Sequence, residues 1–313
     1  MKIVLYKPSD REEWNEFVSH AKNAHFMFYR DYMEYHADRF NDFSLMARSE
    51  KGELVAILPA NLSSRTLHSH QGISFGGLCV KRNITTRMVL DIFDLLIAFI
   101  KSTNLVDDII YKRLPDIYAT YPSQEDLYAL FKLDAKLVRR DVSVALDLHQ
   151  PLPMNSMRKR HVKKANRNNL LVCEEENLSD YWMLLTEVLQ SQHGVDPVHS
   201  LSEISNLKHS FPGNIKCFSS RKDGEIVAGT LIFETADVVH TQYLANGPLG
   251  RELGGLDLVI SELIEKYSNK KRYLSFGIST EKDGAILNEG LISQKESFGA
   301  RALVHDFFLM SLA

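Results

Sequence analysis

Residues 238–246 read Val-Val-His-Thr-Gln-Tyr-Leu-Ala-Asn, and Gly247, Gly250, Gly254 and Gly255 follow before an apolar helical repeat begins near Leu256. A strand that hands over to a helix through glycines is one way to hold an anion. Glycine lets the backbone come close, the first helical N–H groups lack intrahelical acceptors, and the helix dipole adds positive potential. The same pattern also serves as plain turn chemistry. On the strand itself, alternation places His240, Gln242 and Leu244 on one face and Thr241 and Tyr243 on the other. Acyl transfer to an amine needs a base for the ammonium proton and a donor for the developing oxyanion. His240 suits the first role, and a backbone N–H near Leu244 or Ala245 suits the second. A buried structural histidine would look the same as His240, and Glu234 and Asp257 stand behind it as candidate bases.

A second charged feature lies upstream, where Arg158, Lys159, Arg160, Lys163, Lys164 and Arg167 occur with no acid among them. Residues 157–168 read as a helix, and on it Arg160, Lys163, Lys164 and Arg167 share a face. A solvated face is the ordinary outcome of such a run; docking of a phosphorylated acceptor is the functional one. DNA binding would call for interleaved aromatics, and the run has none. His68 and His70 read as a His-x-His pair facing one way on a strand. With no third ligand in the pattern they are structural, and no metal is expected.

Composition bounds these readings. A formal net charge of -3 gives no global attraction to nucleic acid or anionic membrane, so an anionic ligand must meet a local patch. Cys79, Cys173 and Cys217 are far apart and form no close pair of the kind that marks zinc or a disulfide framework. The apolar run 3–6 is too short for a secretory signal, and the apolar stretch 89–100, carrying Asp91 and Asp94, is too short to cross a bilayer. A cytoplasmic protein without a membrane span is expected.

The elements that must position these residues follow from periodicity. Helices are predicted over 12–21, 29–39, 90–102, 124–133, 157–168, 179–191, 256–267 and 286–297. Strands are predicted over 43–48, 54–62, 136–148, 170–174, 215–220, 226–235, 238–244, 273–276 and 301–309. Lys51-Gly52-Glu53 and Asp223-Gly224-Glu225 each read as a hairpin turn feeding a strand, and each is followed by a helical pattern, at Leu90-Asp91 and Leu256-Asp257. This correspondence suggests an internal duplication. Pro151 and Pro153 favour an extended linker, which sets a domain boundary between 150 and 151. The expected fold is α/β with mixed sheets, in two domains, 1–150 and 151–313.

Arg251-Glu252-Leu253-Gly254-Gly255-Leu256 resembles the pyrophosphate loop of GNAT acyltransferases, with Leu256 where that family has Gly or Ala. Phe276-Gly277-Ile278-Ser279-Thr280-Glu281, followed by Asn288-Glu289-Gly290-Leu291 and Lys295-Glu296-Ser297-Phe298-Gly299, resembles the closing motif of FemAB-like members of the superfamily. Members are also similar in having two successive GNAT domains, a basic segment opening the second, and a Phe-Gly-Gly-Leu segment in the first, here Phe75 to Leu78.

The resemblance implies tandem GNAT-like domains, the first degenerate because its equivalent loop, Gly76 to Lys81, is short and apolar. It implies acetyl-CoA or another acyl-CoA as donor, held by Leu244, Ala245, Arg251, Gly254, Gly255 and Leu256, and an amino sugar or nucleotide-linked amino sugar of surface polysaccharide as acceptor. Candidate acceptor contacts are Arg160, Lys164, Gln242, Ser279, Asn288 and Phe298. Lys295 is placed to meet an acceptor phosphate or carboxylate, and His240 and Lys295 are the catalytic candidates. Peptidoglycan-bridge enzymes of the group carry an aminoacyl-tRNA-binding helical arm, which this sequence lacks. Aminoacyl transfer from tRNA is therefore the second reading, and a non-catalytic binding protein the third.

Overall fold

The computed structural model of the protein describes residues 1–312. The chain forms two compact units, one of Met1–Asp141, Lys282–Ala285 and Val304–Ala313, the other of Val142–Glu281 and Ile286–Leu303. The division thus falls at 141/142, inside the strand Lys136–Asp147, and not at the expected 150/151. Prolines mark a change of direction after that strand, but the strand's second half already belongs to the second unit's core through Val144, Leu146 and Leu148.

In the first unit an antiparallel sheet joins Lys2–Leu5, Leu45–Arg48, Leu54–Leu58 and Cys79–Val80. A second group pairs Phe307–Ser311 residue for residue with Asp108–Lys112, which runs parallel to Thr66–His68. The helix Thr86–Thr103 buries Val89, Ile92, Phe93, Leu96 and Ile100, an i, i+3, i+4, i+7 face, against this core. Thr85 caps its start through Oγ1, which accepts from the Met88 N–H.

In the second unit the strand order is Leu171–Glu174, Ile215–Lys222, Glu225–Glu234, Val238–Asn246, Tyr273–Ile278, then the later part of Lys136–Asp147. All these neighbours are antiparallel except Val238–Asn246 with Tyr273–Ile278. Asp223 (φ 51°) and Gly224 (φ 91°) turn the hairpin that sequence placed there. The helix Gly255–Tyr267 buries Leu256, Val259, Ile260, Leu263 and Tyr267 on one side of the sheet. On the other side Tyr181 and Trp182 of the helix Ser179–His193 pack against Gly229 and Tyr243.

Sequence and structure differ in a few elements. The expected helix 29–39 is a single turn, Arg30–Met33, followed by a 3-10 turn. The helix Leu201–Ser210, begun by a Ser200/Glu203 capping box, was not legible from apolar periodicity. His68 ends its strand and His70 takes φ 65°, so the two histidines do not share a strand face.

Candidate functional site

The parallel pairing of Val238–Asn246 with Tyr273–Ile278 covers only Val238↔Tyr273, Val239↔Leu274 and His240↔Ser275. Beyond His240 the first strand continues to Asn246 while the second leaves it, so a gap opens between them. On the opposite edge the antiparallel ladder slips by one residue, from Ile232↔Thr241 to Leu231↔Tyr243, which makes Gln242 the extra residue of a β-bulge. The Gly247 N–H donates to the Val227 carbonyl at 3.0 Å. Counting back in twos along an antiparallel ladder, Ala245 and Tyr243 also point their backbone groups at that neighbour. Leu244 and Asn246 therefore turn their N–H groups into the gap. Of the two candidate oxyanion donors, the geometry selects Leu244 and assigns Ala245 to the ladder.

The bulge also reverses the predicted faces. Across it Tyr243 pairs with Leu231 and His240 with Phe233, so Tyr243 comes onto the face of His240, and Leu244 moves to the face of Thr241. Tyr243 meets two partners there: its hydroxyl lies 2.6 Å from His199 Nδ1, and its ring meets Trp182 edge-on. His199 sits just before the helix Leu201–Ser210 and is buried. His240 is buried at the closed end of the gap with Nδ1 3.2 Å from Ser275 Oγ. The Oε1 of Gln242 is buried and has no hydrogen-bond partner among the described residues.

The glycines are explained largely by packing. Gly247 and Gly250 flank the first turn of a short helix, Pro248–Leu253, where a loop was expected. A Cβ at Gly250 would lie 2.2 Å from the Val227 carbonyl oxygen, and one at Gly255 2.7 Å from Ser220 Oγ. Gly254 takes φ 84°, and a Cβ on it would lie 2.5 Å from the His161 carbonyl oxygen. The Gly254 N–H donates to Gly250 O at 2.9 Å, and Leu256 is in the core. Thus Gly254, Gly255 and Leu256 serve contacts within the unit. In the first unit the corresponding segment is likewise occupied: the Leu78 N–H donates to Tyr111 Oη at 2.7 Å and the Val80 N–H to Asn23 Oδ1 at 2.8 Å.

The basic helix spans Ser156–Arg167, and Asn155 Oδ1 caps it by accepting from the Arg158 N–H at 2.9 Å. Arg160, Lys163, Lys164 and Arg167 are exposed, as their shared face predicts, and Lys164 Nζ donates to Glu252 O at 2.6 Å. Arg158 turns inward. Its Nη1 donates to Asp257 Oδ1 at 2.9 Å, its Nε to Ser297 Oγ at 2.7 Å, and its guanidinium lies 4.6 Å from the centre of the Phe298 ring. Asp257 is the third residue of the Gly255–Tyr267 helix, is 3% exposed, and has His161 Nδ1 3.5 Å from its Oδ2. Arg158, His161, Asp257 and Ser297 line a cavity of ≈ 450 Å³ with Asn246, Arg251, Ser293 and Gln294. Arg251 Nη1 donates to Asn246 O at 2.8 Å.

The remaining sequence candidates are placed differently from expectation. Lys295 is buried, and its Nζ donates to Gly277 O (3.0 Å), Ile278 O (2.6 Å) and Ser279 Oγ (3.0 Å). Burial lowers its pKa to about 8. It is an internal staple of the strand end. Ser279 is buried as its acceptor, Asn288 caps the helix Glu289–Glu296 by accepting from the Leu291 N–H at 2.9 Å, and Phe298 stacks on Phe276 in the core. Sequence reasoning missed Arg158, His199 and Tyr243 as site residues and gave Asp257 a lesser place. The signals were the cap at Asn155 and the capping box at Ser200, which fix where two helices begin and hence which side chains turn inward.

No family model matches the sequence, and no curated protein does. Solved structures match over nearly all of it. FemX is 11% identical with a TM-score of 0.68, covering 98% of this chain and 97% of its own. The C-terminal domain of a putative lysylphosphatidylglycerol synthetase from Agrobacterium fabrum is 10% identical with a TM-score of 0.63, covering 97% and 92%. A tandem GNAT protein from the clavulanic acid biosynthesis pathway is 12% identical with a TM-score of 0.52, covering 100% and 98%. At such identities the likeness establishes the fold alone: two successive GNAT-like α/β domains, as in FemX and the tandem GNAT protein.

Proposed function

We propose that the second unit transfers an acyl group from an activated ester or thioester to an amine. The observation that carries this reading is the gap beyond His240 with the Leu244 N–H directed into it, a fixed donor for the oxygen of a tetrahedral intermediate. The donor's carbonyl lies in the gap and the amine approaches on the Tyr243 face. Tyr243 Oη takes the ammonium proton as its own proton passes to His199 Nδ1; the amine nitrogen then bonds to the carbonyl carbon. As the C–S or C–O bond breaks, that proton returns through Tyr243 to the leaving thiolate or alkoxide, and the acylated nitrogen gives up its second proton to the Tyr243–His199 pair and on to water, leaving a neutral amide. Tyr243 and His199 replace His240 in this scheme because His240 sits where the strands are still paired.

The acceptor in this reading is an amino sugar, free or nucleotide-linked, and acetyl-CoA is the first donor to test. A second donor, aminoacyl-tRNA, is favoured by one feature: the exposed Arg160, Lys163, Lys164 and Arg167 face suits a phosphate backbone. Mass spectrometry of nucleotide-linked amino sugars and of peptidoglycan precursors, each incubated with the protein and either donor, tests both. Acylated amino sugar with acetyl-CoA supports the first donor, and aminoacylated precursor with charged tRNA supports the second. Failure of every pairing overturns the reading.

A further inference from the structure

We propose that Asp257 is a specificity-determining residue that bars a diphosphate from the start of the Gly255–Tyr267 helix, so that a thioester donor is held by its acyl arm alone. The inference rests on the reading that the gap beyond His240 receives the donor. A diphosphate at a helix start needs free N–H groups, a close backbone approach and unpaired cations. Gly254 itself offers neither a free N–H nor room for an anion. Its N–H is taken by Gly250 O, and the approach that its missing side chain permits is occupied by the His161 carbonyl, an oxygen of the same polarity as a phosphate oxygen.

The charge balance points the same way. The buried Asp257 carboxylate occupies the first turn, where the helix dipole would otherwise favour a bound anion. It also pairs with Arg158 at 2.9 Å, which neutralises that cation beside the cavity, and lies 3.5 Å from His161 Nδ1. Arg251 and Lys164 remain, and each already donates to a backbone carbonyl, Arg251 to Asn246 and Lys164 to Glu252. The cavity's other polar groups, Asn155, Ser293 and Gln294, are neutral and suit amide and hydroxyl groups such as those of a pantetheine arm.

Calorimetric titration of the full chain with CoA, pantetheine and inorganic pyrophosphate tests this without requiring turnover. The wild type is expected to bind CoA within about threefold of pantetheine and to bind pyrophosphate poorly. Asp257→Asn keeps the shape and one acceptor for Arg158 while removing the charge. It should bind CoA and pyrophosphate at least about tenfold more tightly, with pantetheine unchanged and the gain erased in about 0.5 M salt. Wild-type protein that binds CoA about tenfold or more tighter than pantetheine overturns the proposal. So does a folded Asp257→Asn protein with no gain for pyrophosphate. If Asn is not tolerated, Asp257→Ser carries the same expectation. A wild type that binds neither CoA nor pantetheine counts against the thioester donor, and the pyrophosphate gain still decides the role of Asp257.

Discussion

Lys295 was expected to face an acceptor, and the structure gives its ammonium three internal acceptors. Its three bonds tie the helix Glu289–Glu296 to the backbone at Gly277 and Ile278 and to Ser279, at the strand end that leaves the gap open. Lys295→Ala strands buried acceptors and should cost about 1–3 kcal/mol in urea unfolding, where the motif alone suggested a loss of turnover. Its folded pKa, about 8, lies below the ordinary lysine value of about 10.4. Between those values the unfolded chain still holds a proton that the folded chain has released, so this position adds stability as pH rises through that window and adds least below it. The stability difference between wild type and Lys295→Gln should grow across the window by up to about 1.4 kcal/mol per pH unit. A flat difference would return Lys295 to an exposed, ligand-facing role. Tyr243 makes the opposite case, since it was assigned only to a face. Once an acceptor is found, Tyr243→Phe should lower kcat by about 10²–10⁴-fold with little change in KM or melting temperature. His199→Gln should do nearly the same and the double variant little more, because the two act on one proton.

The elements were the most legible level, and the connections between them the least. Residues 256–267 and 90–102 have their apolar positions three and four apart, which forces one buried face in any context, and both are helices within a few residues of expectation. The bulge at Gln242 was hidden because a one-residue slip depends on the partner strand; nothing in Val-Val-His-Thr-Gln-Tyr-Leu alone announces it, yet it decides which side chains share a face with His240. Asp257 and Arg158, separated by 99 residues, were beyond reach for a similar reason: only the docking of one helix on another brings them together. Gly254 stands out in the sequence as an anion contact, and the packing supplies a further reason for a glycine there. Any side chain there meets the His161 backbone and a positive φ at once, so Gly254→Ala should destabilise by about 2 kcal/mol or more and Gly254→Val should not fold stably. Gly224→Ala is the control, since its φ of 91° carries the same strain but open space surrounds it. It should cost only about 1 kcal/mol. Equal losses at the two sites would show that the approach of the basic helix to Gly254 is not a structural contact.

At the scale of the whole molecule, the chain does not divide where the prolines suggest. The second unit needs Val144, Leu146 and Leu148, which precede Pro151, and the first unit needs the last residues of the sequence. Phe307–Ser311 pairs with Asp108–Lys112 and brings Met310 into the core that contains Ile109 and Tyr111. A fragment 151–313 therefore lacks the edge that covers Tyr273–Ile278, and a fragment 1–150 leaves Asp108–Lys112 without its C-terminal neighbour. Neither should unfold cooperatively by itself. A sharper test removes only the residues after Leu303 from the full chain. Removal strips a five-residue antiparallel register from the first unit and exposes Ile109 and Tyr111, while the Val142–Glu281 core keeps every strand pair described for it. Hydrogen exchange should then lose protection at Asp108–Lys112 and Thr66–His68 first, and keep it along Glu225–Glu234 and Val238–Asn246. Protection retained in the first unit would mean that its sheet is complete without the C-terminal strand, and that the boundary at 150/151 is the better description of how this chain folds.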